Sequence, residues 1–191
     1  MGSIASLPSN TNTNALSLAN AEFFIALLQA QKLGLSNLPL HLGLTQTQYS
    51  QMMVWFDFDA SFTHLSTNAY EKATIRQQLL ELRQDEQQEL NDLLLAHRRN
   101  QDVSEQWLAN ILAAGCLAGD HLWRDLGLRN RESLTALFAV NFPALAKKNS
   151  GVMRWKKFLY KQLCEQQGNF VCRSPSCETC SVYDECFGDE L

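Results

Sequence analysis

The sequence has no run of apolar residues approaching the roughly 18–20 needed to cross a bilayer, which argues against a membrane-spanning helix. It also lacks segments in which β-branched and polar residues alternate, so nothing in it predicts a sheet. There are no internal repeats of the kind that build solenoids or propellers. Basic charge is scarce: 16 Lys and Arg against 20 Asp and Glu give a net charge of −4, which leaves no global positive field to recruit nucleic acid. Neither a phosphate-binding glycine loop nor a nucleophile–base pair is visible. The sequence thus offers no recognisable covalent or phosphoryl-transfer site.

The first fourteen residues, MGSIASLPSNTNTN, are mostly small and polar with no apolar core. The expectation is a disordered tail over residues 1–14, no secretory signal and a cytoplasmic location. MGSIAS fits the permissive myristoylation pattern, but a short run of small residues meets that pattern by chance.

What is present reads as helix. Hydrophobic residues make up 46% and charged ones 19% of 191 residues, enough to bury a real core. Apolar spacing predicts helices over about Ala15–Gln31, over the segment opened by Thr45-Gln46-Thr47-Gln48, and over Tyr70–Arg99, Glu105–Leu117, Arg131–Asn141 and Val152–Gln166. Thr45 and Gln48 have capping-box spacing, and Gly34, Pro39 and Gly43 break the chain before them. The polar face of the long 70–99 segment, dense with Gln, Arg, Asp and Glu, reads as solvated surface. Residues 119–128 interrupt the periodicity, and Pro143 opens a further short turn. The expected fold is all-α, a bundle of about six helices ending in an irregular cysteine-rich loop. A helical domain spans 15–150, and a basic helix with its cysteine loop, 151–191, packs on the same domain.

Cysteine is unevenly distributed. Five of the six cysteines fall in the last 28 residues, and Cys172, Cys177, Cys180 and Cys186 form C-x4-C-x2-C-x5-C. Thiolates so bunched converge only on a metal, a metal–sulfur cluster or disulfides. With no export signal the thiols are expected to stay reduced, which favours a metal. Four thiolates suit tetrahedral zinc or an iron–sulfur cluster. The single C-x2-C flanked by unequal spacers is commoner around iron–sulfur clusters, although a purely structural staple remains a competing reading. Cys164, on the preceding helix, is a fifth candidate or a buried thiol, and Cys116 in an apolar helix reads as core. His121, bracketed by Asp120 and Asp125, is either a metal ligand or, as we favour, a hydrogen-bonded structural residue. His41, His64 and His97 have no supporting neighbours in sequence.

From Lys147 to Lys161 the chain carries Lys147, Lys148, Arg154, Lys156, Lys157 and Lys161 and no acidic residue. This local reversal of charge is either a solvated face or a positive collar for an oxyanion or an acidic partner. Arg154, Lys156, Lys157 and Lys161 are the candidate docking cations.

The helix MRWKKFLYKQLCEQQG, the cysteine motif closed by Phe187-Gly188, and the preceding GDHLWRDLGL and FPALAKKN together resemble the NifQ family. The resemblance is close over about Trp107–Gly188. It implies a molybdenum donor for the iron–molybdenum cofactor of nitrogenase, carrying an iron–sulfur cluster that incorporates molybdenum. The family's cluster motif falls on Cys172, Cys177, Cys180 and Cys186, with none missing. Implied partners are the cofactor scaffold proteins and the nitrogenase reductase, with molybdate or sulfur-bound molybdenum as cargo. Neither nucleic acid nor membrane is an expected partner. The alternative is a helical protein with a purely structural iron–sulfur or zinc site, glycosylase-like or adaptor. The glycosylase variant lacks a helix-hairpin-helix turn and overall basic charge.

Overall fold

A computed structural model describes residues 15–150 and 153–166. Among them there are nine α-helices, two short 3-10 turns and no strand. None of the described helices is long and apolar enough to cross a membrane.

Helix α1 (Ala15–Lys32) turns Ala21, Phe24, Leu27 and Leu28 inward, the spacing of one helix face. The connection after it contains a 3-10 turn over Leu40–Gly43 in which His41, Leu42 and Gly43 all adopt left-handed backbone. For the two non-glycine residues this conformation costs about 1–2 kcal/mol each. A Cβ on Gly43 would lie 2.5 Å from Ala114 Cβ, so the loop is pressed against the core. Helix α2 (Gln46–Trp55) starts with the expected capping box: Thr45 Oγ1 accepts from Gln48 N and the Gln48 side chain accepts from Thr45 N at 3.0 Å.

The long helix expected over 70–99 is two helices, α3 (Thr67–Glu81) and α4 (Gln84–Ala96). Arg83 leaves helical geometry at φ −129°, ψ 32°. Its guanidinium is held by Glu86 and by Leu117 O at 2.9 Å, which fixes the corner against the far end of the next helix. That next helix, α5 (Ser104–Cys116), is the spine of the molecule, with Trp107, Leu108, Ile111 and Leu112 buried. Its start is held by the fully buried Glu105, whose carboxylate accepts the backbone N–H groups of Asn100, Gln101 and Asp102 at 2.7–2.9 Å. Asp102 in turn accepts from Ser104 N at 2.9 Å.

The irregular stretch of the sequence contains a short helix, α6 (Leu122–Leu126). It ends at Gly127 (φ 74°), where Leu128 N bonds Trp123 O and Gly127 N bonds Arg124 O, a Schellman closure. Helix α7 (Arg131–Asn141) keeps the expected bounds and is capped by Asn130 on Ser133 N at 2.9 Å. Pro143 begins α8 (Pro143–Lys148), and α9 (Trp155–Gln166) packs across α4. The excess over six helices comes from the corner at Arg83 and from the two short helices α6 and α8.

Trp107 stands edge-on to Phe24, Trp55 and Phe56 with centroids 6.2–6.3 Å apart, which ties α1, α2 and α5 together. Deeper still, Asn20 and Asn141 exchange amide hydrogen bonds at 2.8 Å and Asn20 also donates to Ser104 Oγ at 2.7 Å, joining α1, α5 and α7. Asn20→Ala leaves the buried Asn141 Oδ1 without its donor and removes one bond from Ser104 Oγ. It should cost about 1–3 kcal/mol in urea denaturation; a loss within experimental error would show that water replaces the amide.

Candidate metal-handling site

The four cysteines of the motif, Cys172, Cys177, Cys180 and Cys186, lie outside the described residues, so the site is approached through α9, whose last residue Gln166 precedes Cys172 by six positions. Among the described residues no group of three or more His, Cys, Asp or Glu side chains is arranged to hold a metal.

Helix α9 is fixed on its apolar side by Trp155, Phe158, Leu159 and Leu163. Trp155 stacks on Phe138 with centroids 3.7 Å apart and planes 5° apart, and Phe158 meets it edge-on. The entry to the helix is tied by Met153 O, which accepts from Arg131 at 3.1 Å and from Asn149 at 2.9 Å.

The structure divides the candidate docking cations. Lys156 is committed elsewhere: its ammonium donates to the fully buried carboxylate of Asp125 and to Ala118 O at 2.8 Å. Asp125 further accepts from Asn37 Nδ2 at 2.7 Å and from Asp120 N at 3.0 Å. Lys156 is thus engaged within the fold, in an ion pair that helps hold α9. Arg154 is half-buried, and its Nε makes no hydrogen bond among the described residues. Lys157 and Lys161, one helical turn apart, form no ion pair among the described residues. Lys148 sits across from the same helix, 3.3 Å from Gln162 Oε1.

One turn beyond Lys156, Tyr160 donates to Glu86 Oε1 at 2.6 Å, and Glu86 is clamped by Arg83 at 2.8–2.9 Å. Burial, reinforced by the hydrogen bond to Glu86, drives the Tyr160 phenol far above its ordinary range, so it stays a proton donor. Cys116 lies beside this network. Burial pushes its thiol up to about 12, and the nearby positive Lys156 offsets only part of that. Its burial is in keeping with its reading as core. Cys164 is half-buried in the last turn of α9, three residues after Lys161. His121 is the residue before α6, its backbone N–H donating to Asp120 Oδ1 at 2.6 Å. Asp125 and Glu86, the residues that hold α9, were not singled out by sequence for that role. The available signal for Asp125 was a carboxylate inside the apolar LWRDLGL, a place where an acid needs a partner.

With this arrangement in view, comparison with known proteins decides the family. The NifQ family model matches residues 23–188, a range that takes in α9 and the whole cysteine motif. The chain belongs to the NifQ family. It is 51% identical over 176 residues to Protein NifQ of Azotobacter vinelandii, covering 91% of this chain and 90% of that one. To Protein NifQ of Klebsiella pneumoniae it is 36% identical over 155 residues, or 81% and 90% of the two chains. A Protein NifQ homolog of Sinorhizobium fredii shares 48% identity over 99 residues, 52% of this chain and 43% of that one. No solved structure matches. The NifQ family is implicated in nitrogen fixation.

Lys156→Met leaves the Asp125 carboxylate buried without its cation, and should cost about 3–5 kcal/mol. Adding Asp125→Asn should restore part of that loss, because the double variant buries no lone charge. Urea denaturation of the four proteins checks this; strictly additive losses would show that the pair is not coupled.

Proposed function

We propose that this chain takes up molybdenum on an iron–sulfur cluster held by Cys172, Cys177, Cys180 and Cys186 and hands it to the assembly of the iron–molybdenum cofactor of nitrogenase. The observation that carries the reading is a complete C-x4-C-x2-C-x5-C motif inside a chain of NifQ membership. The donor set fits such a group, since four thiolates are the usual protein ligands of iron–sulfur clusters. When bound, the cluster supplies soft sulfur ligands to which molybdenum can pass from a hard oxyanion.

The chain's own residues supply position and charge. Lys156 and Tyr160 secure the helix that leads into the motif. Lys157 and Lys161 contribute two positive charges to the basic run 147–161, in a chain whose net charge is −4. They favour the approach of molybdate or of an acidic partner surface. The partners on this reading are the cofactor scaffold proteins and the nitrogenase reductase, and the chain acts as a carrier rather than an enzyme. Cys164, at the end of the same face as the two lysines, is the additional sulfur nearest the motif in sequence.

Elemental analysis of protein isolated without oxygen from molybdate-fed cells tests the reading. Iron, acid-labile sulfide and molybdenum together are expected; zinc alone, with no sulfide after anaerobic reconstitution, would overturn it. Lys157→Gln with Lys161→Gln should lower molybdenum loading or transfer while leaving iron content unchanged. Unaltered loading and transfer would reject the steering role of the two lysines.

A further inference from the structure

On the side of the molecule formed by the left-handed turn and the start of α3, a half-open cavity of about 570 Å³ is lined by side chains far apart in sequence. His41 and Tyr49 form one wall, their rings 5.0 Å apart, and His64 and Tyr70 also line it. Gln31 and Gln46 contribute amides, and serine and threonine hydroxyls complete the polar surface. No Asp, Glu, Lys or Arg is among the lining residues, in a chain with 20 acidic and 16 basic ones.

This composition selects a ligand. A metal cation or ammonium would find no carboxylate there. Hydroxyl, amide and imidazole N–H groups are donors for an oxygen-rich anion. Burial pushes Tyr49 up to about 12, so its hydroxyl keeps the proton it donates. A second observation concerns the backbone. His41 and Leu42 are held at φ 55° and 61°, a conformation that persists only where its surroundings enforce it and that concentrates at ligand-binding sites. The turn is enforced by Gln31 Nε2 donating to Pro39 O at 2.6 Å and by the close approach of Gly43 to Ala114. These constraints present the His41 ring to the cavity. The volume exceeds that of a bare tetrahedral oxyanion, so the anion keeps part of its water shell, which suits a ligand that must leave again.

We propose that this cavity binds a small tetrahedral oxyanion between the His41 and His64 imidazoles and the Tyr49 and Tyr70 hydroxyls. That its working occupant is molybdate, the cargo in its incoming form, rests on the function proposed above. The site is separate in sequence from the cysteine motif, and the two are testable apart.

The test is equilibrium dialysis of the full-length protein against sodium molybdate, with sodium sulfate and sodium citrate as competitors and with iron measured on the same samples. His41→Asn, chosen because Asn tolerates left-handed backbone, is combined with His64→Gln. Loss of two donors to an anion should weaken molybdate retention by about tenfold or more while iron content stays the same. Tyr70→Phe, at an exposed position, provides a second and milder variant should the pair fail to fold. Cys177→Ser with Cys180→Ser should lose iron but keep the dialysable anion. Retention unaffected by the histidine and tyrosine changes would overturn the proposal, as would displacement by citrate but not by sulfate. Anion retention in a wild-type protein that carries no iron–sulfur cluster would instead count against the donor reading and leave this site standing.

Discussion

The buried carboxylate of Asp125 is the point on which the cysteine-bearing end of this chain depends. A carboxylate with no access to water is tolerated only when its lone pairs are met, and here three other chain segments meet them. Asn37 comes from the connection after α1, Asp120 from the loop before α6, Lys156 from the first turn of α9, and Asp125 itself from α6. Lys156 also closes the end of α5 by donating to Ala118 O. Elements adjacent to one another in space but up to 119 positions apart in the chain are thereby held to one geometry. The same charge would be costly if unpaired, because a buried carboxylate that loses its cation keeps its desolvation cost without compensation.

From this anchor the character of α9 follows turn by turn. Successive positions Lys156 and Tyr160 lie on one face because residues four apart are neighbours. Both are engaged, with Asp125 and with the Arg83-clamped Glu86. Lys157 and Lys161 are rotated by one residue from that face, and the rotation is enough to leave them outside the network. Neighbouring residues of one half-buried run are thereby distinguished: Lys156 and Tyr160 hold the helix, while Lys157 and Lys161 make no ion pair among the described residues. Cys116 shares the interior side, buried in the core.

Much of the fold was legible in the sequence because it is written in local signals. The capping box at Thr45, the bounds of α7 and the burial of Phe24, Leu27 and Trp107 all follow from spacing within a few residues. The corner between α3 and α4 was missed because Gln, Arg and Glu continue the polar periodicity straight through it. Asp85 and Glu86 just beyond Arg83 are the acidic first turn of a new helix, and that was the available clue. The roles within the basic run were illegible for a different reason: whether a lysine is paired depends on what another element brings to it. Asp125 is 31 positions from Lys156, and no spacing rule connects them. The cavity between His41 and His64 is the extreme case, since each histidine alone has nothing beside it in sequence.

A carrier must reconcile a fixed position with a releasable load. Along α9 the structure separates these demands by distance from the anchor. The first two turns are locked by an ion pair, a stacked indole and a phenol–carboxylate bond, all buried or half-buried. The last turn carries the half-buried Cys164 followed by the exposed Glu165 and Gln166. Local opening is easiest where few buried contacts oppose it, so constraint declines along the helix toward the motif. Under the proposed function, that gradient leaves the end of α9 nearest the motif in sequence the easier to yield while its start stays fixed.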